Sequence, residues 1–409
     1  MTGTGVNMKH KLGIYLLSAL ILSALVISAF SGLALGAAAS KLFVADYDDN
    51  MVYVVDPGTG HLSKNISVGS HPVKIIVDPT GVLAYVLQEG DSKISVINIE
   101  REVVERTIPS GDQPTNMAIS PDGLKLYVTS SSNNAVYVIN AKNGNQENIM
   151  HVGSGPSEIV FTTDGMACVV NSIDNAIMVI DTSGSKAVKT LTVGSWPEGI
   201  GIDPFNRQAL VPGFADGTIT IIEINGWSKV KTTNIGGNPL SIAYDVASGV
   251  FYVTDPTAGN VRAIDPQGEA SVIASVPGAR SIITESQGNH IYVASPDNGM
   301  ISIITTGSSE KPVTYSIGHK PTSIAPIYTG ESGTATPTVT PIVTPTATPT
   351  ALQTATPTTA PVTPTPLPTQ IPVPTPTATA TPVPSPASPV LAVLALGTVA
   401  IGYVLKHRK

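Results

Sequence analysis

The residues most able to do chemistry in this chain stand beside one turn signal that recurs along the sequence. Gly69-Ser70-His71-Pro72 returns as a Gly-x-x-Pro turn beginning at Gly111, Gly153, Gly194, Gly236 and Gly318. The side chains around these prolines and around one degenerate copy form a mixed set of charged, amide and aromatic groups: His71, Lys74, Gln113, Asn116, Glu158, Trp196, Glu198, Asn238, Arg280, His319 and Lys320. An aromatic surface among a few polar groups is typical of a site for a sugar or an extended peptide.

This pattern alone does not supply the set of acid and base groups that catalysis needs. His71, His319 and Glu158 are the candidates for acid and base work, but a single hydrogen-bonding histidine in a loop is the more common explanation. A funnel filled only by solvent is a third interpretation of the same side chains. We assign no catalytic residue from the sequence.

Metal binding is indicated only weakly. The sequence has no His-x-His or His-Glu-x-x-His motif, and two separated histidines need a third ligand. Asp46, Asp48 and Asn50 imitate the opening of a calcium loop, although Met51 stands where such a loop requires glycine. We expect a solvated turn there, and no cofactor.

The spacing of the turn signal predicts the element that brings these side chains together. Its copies are 42, 42, 41 and 42 residues apart, then 82, which leaves room for a degenerate copy at Pro277-Gly278-Ala279-Arg280. Each unit holds four short runs with β-strand alternation, for example 115–120, 124–129, 136–140 and 146–152. Since one small sheet cannot bury its own faces, seven such units predict an all-β, seven-bladed β-propeller of four-stranded antiparallel blades over residues 40–330.

The register of the repeat predicts how the ring closes. The repeated region begins with a second strand, Lys41 to Asp46, and ends with a first strand, Pro321 to Ile327, so one blade takes three strands from one end and one from the other. The loops before the first strands then gather around the central channel, where we expect the eleven side chains to line a funnel. Pro212 should sit at a bulge or lose a ladder bond, and the blade that begins at Pro277 should be the irregular one.

Composition excludes some partners. The 409 residues carry a formal net charge of -7 and only 12% charged side chains. This argues against nucleic-acid binding, because proteins that bind nucleic acid need a basic surface. Cys168 is the single cysteine, and its place in a repeated strand favours a buried apolar role.

The two ends of the chain predict export and display. Residues 1–39 carry Lys9-His10-Lys11 before a long apolar run that ends in Ala37-Ala38-Ala39, typical of a signal peptide cleaved after Ala39, or of an uncleaved anchor. Residues 331–389 hold 16 of the 34 prolines and predict a disordered Pro/Thr stalk. Residues 390–409 predict a transmembrane or sorting tail with a basic end. We therefore expect the propeller on the outer face of the cell membrane, with Asn65 as a glycosylation site.

Two strand sequences carry a family resemblance. Tyr127-Val128-Thr129 and Val136-Tyr137-Val138-Ile139-Asn140 resemble the repeat of the YVTN β-propellers of surface-layer and other extracytoplasmic proteins. The resemblance covers residues 41–330 and implies a structural, adhesive or ligand-binding role, with an envelope glycan or protein as partner. Two alternatives stay open: an anchored propeller enzyme, such as a lactonase or lyase, using the funnel, and a surface-lattice subunit with lateral contacts between propellers.

Overall fold

The computed structural model describes residues 38–205, 207–285 and 289–328. Within these ranges the chain forms seven four-stranded antiparallel sheets, numbered here as blades 1 to 7. Blade 1 takes β1 (Lys41–Asp46), β2 (Met51–Val55), β3 (Leu62–Ser67) and, from the other end, β28 (Pro321–Ile327). The seven-bladed all-β propeller predicted from the repeat is confirmed.

The other six blades each use four consecutive strands. Blades 2 to 4 are β4 (Pro72–Val77), β5 (Leu83–Gln88), β6 (Lys93–Asn98), β7 (Val103–Pro109), β8 (Pro114–Ile119), β9 (Lys125–Ser130), β10 (Ala135–Asn140), β11 (Gln146–His151), β12 (Pro156–Phe161), β13 (Met166–Asn171), β14 (Ala176–Asp181) and β15 (Lys186–Thr192). Blades 5 to 7 are β16 (Gly201–Asp203), β17 (Gln208–Gly213), β18 (Thr218–Glu223), β19 (Ser228–Asn234), β20 (Ile242–Asp245), β21 (Val250–Asp255), β22 (Asn260–Ile264), β23 (Ala270–Ser275), β24 (Ser281–Thr284), β25 (His290–Ser295), β26 (Met300–Thr305) and β27 (Val313–Ser316). A 3-10 turn, Pro296–Asn298, joins β25 to β26.

The closure of the ring is as the register predicted. β28 pairs antiparallel with β1, from Lys41 opposite Ile327 to Ala45 opposite Ser323. The predicted bounds of both strands are those observed. The pairing removes the free edge that β1 would otherwise present.

The apolar core lies between blades rather than inside them. Among the described residues, seven clusters of buried side chains each join two neighbouring blades, and the cluster of Leu42, Val44, Tyr292 and Ala294 joins blade 7 to blade 1. The second and third strands supply most of these side chains because both of their faces are covered. Cys168 is one of them: it is fully buried, and burial raises the pKa of its thiol.

Blades 5 to 7 depart from the regular pattern. β16 pairs only with Gln208 to Leu210, so the first strand leaves the ladder before Val211 and Pro212, as expected beside a residue without an N–H. Pro212 stays paired with Ile219 on its other side. The blade beginning at Pro277 is irregular as expected, with a first strand of four residues, but it is not alone, because three successive blades have short first strands and the shortest is in blade 5.

The predicted stalk (331–389), the C-terminal tail (390–409) and residues 1–37 of the signal segment lie outside the described residues. Across 38–205, 207–285 and 289–328, no helix is long and apolar enough to span a membrane.

Candidate functional site

The Gly-x-x-Pro turns are fixed by side chains from the loops between second and third strands. The backbone N–H of the residue before proline donates to an asparagine of the preceding blade: His71 to Asn50 Oδ1 (2.8 Å), Gly155 to Asn134 Oδ1 (3.0 Å) and Trp196 to Asn175 Oδ1 (2.7 Å). The residue one earlier donates to a carboxylate of its own blade, in the pairs Ser70 and Asp91, Ser154 and Asp174, and Ser195 and Asp216. The loops between second and third strands therefore hold neighbouring blades in register.

Three of these turns hold a side chain in a backbone conformation that favours glycine. His71, Gln113 and Trp196 have φ values of 54°, 47° and 53°. Such a conformation costs about 1 kcal/mol or more for a bulky residue and concentrates at functional sites. The hydrogen bonds to Asn50 and Asn175 maintain this conformation at His71 and Trp196, and thereby fix the direction of these two side chains.

A cavity of about 490 Å³ opens on this face of the ring. Six of the eleven predicted side chains line it: Lys74, Asn116, Glu158, Trp196, Glu198 and Arg280. Phe214, from the loop between β17 and β18, also lines it and was missed by the sequence analysis. Trp196 is 50% exposed although its backbone is fixed, so its indole is available to a ligand.

The two glutamates of the cavity are held differently. Glu158 accepts the backbone N–H of Ile200 at Oε2 (3.0 Å), and its Oε1 lies 3.6 Å from Lys74 Nζ. Gly199 makes room for this carboxylate, because a Cβ there would lie 3.2 Å from Glu158 Oε2 and 2.9 Å from the Leu240 carbonyl.

Glu198 lies in a less favourable environment. Burial raises its pKa, the negative charge of Glu158 raises it further, and a hydrogen bond from the Trp196 side chain only partly opposes both. The cavity therefore presents one carboxylate paired with a lysine and a second that takes up a proton more readily than an exposed glutamate.

Arg280 and Asn116 complete the polar lining. The Arg280 side chain is exposed, with Nε 3.4 Å from Asp297 Oδ2, and its backbone N–H donates to the Ala294 carbonyl. Asn116 accepts the N–H of Met117 at Oδ1 (2.7 Å), which leaves its side-chain amide N–H groups for the cavity.

The other five predicted side chains do not line the cavity. His71 stacks on Tyr47, with ring centroids 4.4 Å apart, and Lys320 Nζ lies 4.3 Å from the centre of the same tyrosine ring. His319 is 79% exposed and bonds Asp49 Oδ1 through Nδ1 at 2.5 Å. Gln113 is exposed, and the Asn238 side chain donates to the Phe214 carbonyl (2.8 Å). Of the acid and base candidates His71, His319 and Glu158, only Glu158 lines the cavity.

The oxygens of the weak calcium candidate already accept N–H groups. The Asp46 carboxylate is fully buried and accepts from the backbone of Asp49 (3.0 Å) and Lys320 (2.7 Å), while Asn50 Oδ1 accepts from His71. In the part of the chain that the structure describes, no group of three or more His, Cys, Asp or Glu side chains is arranged to hold a metal ion.

Comparisons place the chain in a class of fold. No family model matches it, and no curated protein matches it. Many solved structures share its architecture, including these three. A protein of unknown function from Desulfotomaculum acetoxidans gives a TM-score of 0.61 at 15% identity, covering 70% of this chain and 98% of that one. Kuenenia stuttgartiensis hydrazine synthase gives 0.53 at 21% identity, over 57% of this chain and 76% of that one.

The third similar structure is the dihydro-heme d1 dehydrogenase NirN in complex with DHE, with a TM-score of 0.51 at 14% identity over 67% of this chain and 62% of that one. At these identities the likeness concerns the fold alone. The chain is a seven-bladed β-propeller.

Proposed function

We propose that this propeller is a binding module of the cell envelope that takes a hydroxyl-rich ligand, an envelope glycan, in the funnel beside Trp196. The observation that supports this most is the half-exposed Trp196 indole, held in a strained backbone at the wall of a cavity most of whose other lining residues are polar or charged. A large aromatic side chain that stays exposed on a fixed backbone suits a ligand with an apolar face and polar edges.

The lining supplies hydrogen-bonding groups of both kinds for such a ligand. Glu158 and Glu198 accept from hydroxyl groups, while Lys74, Asn116 and Arg280 donate to ring and hydroxyl oxygens. The opposite charges line the same cavity, so a neutral ligand meets acceptors and donors without a net electrostatic penalty. Phe214 adds a second apolar surface next to Trp196.

The setting of the module is part of the same proposal. Three segments support export and display on a stalk at the outer face of the cell membrane: the apolar segment before residue 40, the Pro/Thr segment 331–389 and the apolar tail 390–409 with its basic end. The YVTN-type sequences lie in β9 and β10, and support a place in that propeller family. Asn65 is exposed on β3, where a glycan could be attached.

The experiment uses the purified full chain in detergent and soluble oligosaccharides released from the envelope of the producing cells. A ligand that binds only the native state raises the melting temperature. We expect such a rise, and we expect Trp196→Ala to weaken binding by roughly 30-fold, as for a central aromatic contact.

His71→Ala is the matched control because it changes the same position of another turn. It should leave oligosaccharide affinity within about twofold. No shift with any oligosaccharide, combined with ordered self-association of the purified chain, would contradict the proposal in favour of a lattice subunit. Consumption of an added lactone, lost in Glu158→Gln, would contradict it in favour of an enzyme.

A further inference from the structure

A fully buried glutamate on the face opposite the funnel binds the start of the described chain. Glu285 follows β24 and has an exposed fraction of 0%. Its Oε1 accepts the backbone N–H of Ala39 (3.0 Å) and the hydroxyl of Tyr292, and its Oε2 lies 3.1 Å from His290 Nδ1. The proximity of this carboxylate is one reason, after burial, why the pKa of Tyr292 is raised.

The charges around Ala39 favour a cation. A cavity of about 290 Å³ opens beside it and is lined by Ala38, Asp56, His290 and Tyr292 among others. Asp56 adds a second carboxylate to this cavity, although its Oδ1 accepts the N–H groups of Gly58 and Thr59, and the carboxylate bonded to the Ala39 nitrogen is that of Glu285. Of the partners that the structure describes for Glu285, two are neutral donors and the third, His290, is charged only when protonated. A buried carboxylate needs a paired charge to offset its desolvation.

The sequence offers two places where export processing would leave small residues at the required positions. A cut after Ala39 has Ala37 and Ala39 at the third and first positions before the bond, and a cut after Ala38 has Gly36 and Ala38 there. The first cut removes Ala39 and with it one donor to Glu285. Ser40, whose backbone N–H donates to the Ile327 carbonyl (2.8 Å), would become the first residue.

We propose that a signal peptidase cuts between Ala38 and Ala39, and that the new α-ammonium group of Ala39 pairs with Glu285 as a built-in N-terminal site. Water is the second substrate: its hydroxyl goes to the Ala38 carbonyl carbon, and the released Ala39 amine takes up a proton near neutral pH. The cavity beside Ala39 gives the ammonium group room once residues 1–38 are removed. This inference depends on the proposed export but not on the funnel ligand.

The first test identifies the first residue of the full-length protein recovered from the membranes of its own cells, by mass spectrometry of the N-terminal peptide. Ala39 is the expected result. Ser40 as first residue would overturn the N-terminal site while leaving export intact. An intact N-terminal segment on a protein found in the cytoplasm would overturn both export and this site.

The second test compares chains that run to Lys409 and begin at Ala38, Ala39 or Ser40, each released from a fusion partner so that the first amine is free. The chain beginning at Ala39 should melt highest, by on the order of 3 °C at pH 7. Pairing raises the pKa of the amine in the folded state, so this advantage is complete below the ordinary α-amino pKa of about 8 and is lost as pH rises through the folded value.

Glu285→Gln supplies the control, because it keeps a buried side chain of the same size and removes the charge. In that background the three chains should melt within about 1 °C of one another. Equal melting temperatures of the three chains with Glu285 intact would overturn the proposal. So would an advantage of the Ala39 chain that persists in Glu285→Gln.

Discussion

Trp196 and His71 occupy the same position of the repeat, and the molecule uses them differently. Both precede the proline of a Gly-x-x-Pro turn, both have φ near 53°, and both donate their N–H to an asparagine of the preceding blade. Yet His71 stacks on Tyr47, while Trp196 stays half-exposed at the cavity wall.

The difference comes from the neighbouring blades. At the closing corner, defined here as Tyr47, His71, His319 and Lys320, Tyr47 of blade 1 stacks on the exposed His71, and Lys320 of blade 1 lies over the same tyrosine ring. In blade 4, which precedes Trp196, the residues equivalent to Tyr47 and Lys320 are Ser172 and Gly155, since the Ser172 N–H donates to the Gly155 carbonyl as the Tyr47 N–H does to the Lys320 carbonyl. Neither residue offers Trp196 an aromatic ring. The same turn conformation therefore holds His71, which stacks on a tyrosine of the protein itself, and Trp196, whose half-exposed indole is the proposed ligand contact.

Removing β28 tests the closing corner most severely. Deleting residues 321–327 takes Ile324, Ala325 and Ile327 from two interblade cores and exposes the edge of β1. We expect loss of cooperative unfolding and self-association, measured by calorimetry and size-exclusion chromatography. Deleting 331–337 is the control of equal length and should leave the melting temperature unchanged. A monomer with normal melting after loss of β28 would refute the closure.

Blade 6 holds its turn with an ion pair instead of an asparagine. Arg262 bonds the fully buried Asp255 (2.6 Å) and the carbonyls of Ile235 and Gly236, and Asp255 accepts the N–H of Asn238. Arg262→Met leaves that carboxylate buried and unpaired, so we expect a loss of about 3–5 kcal/mol in urea unfolding. Arg101→Met, at an exposed pair, should cost under about 1 kcal/mol. Equal losses would show that the Asp255 pair has no special role.

Asn50, which holds the turn of His71, and Asn175, which holds the turn of Trp196, allow a direct comparison of these two turns. Asn175→Gly and Asn50→Gly both keep a residue that tolerates the left-handed backbone and both remove one acceptor. Each should lower stability by about 1 kcal/mol, measured by urea unfolding. Only Asn175→Gly should also weaken oligosaccharide binding, because it releases Trp196. Equal effects on binding would end the distinction between the corners.

The fold was predictable because the turn signal recurs at nearly constant spacing and the strands between copies alternate. The bounds of β1 and β28 followed from the register alone. The cavity lining was predictable where a residue belongs to the repeat, as for Trp196 and Glu158. Phe214 was missed because it lies in a different loop, although Tyr47 holds the equivalent position there and aligning those loops would have shown both. That His71, His319 and Lys320 leave the cavity lining follows from contacts with Tyr47 and Asp49 that spacing does not encode.

The smallest expected effect concerns pH at the closing corner. The hydrogen bond with Asp49 and its charge raise the pKa of His319. Burial alone would raise the pKa of Asp49, but hydrogen bonds from Tyr53 and His319 outweigh it and the pKa is lowered. Since the histidine pKa is raised on folding, its contribution is complete below about pH 6.5 and is lost as pH rises through the folded value.

The melting temperature of the wild type relative to His319→Gln should therefore be higher at pH 6 than at pH 9. Oligosaccharide binding should respond equally in the two proteins. A pH-independent difference in melting would show that the His319 and Asp49 contact does not depend on charge.

The most direct test of the account uses the fluorescence of Trp196. The chain has two tryptophans, and Trp227 is buried between blades 4 and 5, so Trp227→Phe leaves Trp196 as the single reporter. Acrylamide quenching of this variant is measured with and without the envelope oligosaccharides. The account predicts ready quenching in the free protein and protection that saturates with added oligosaccharide. Quenching that no oligosaccharide changes would contradict a ligand site at Trp196.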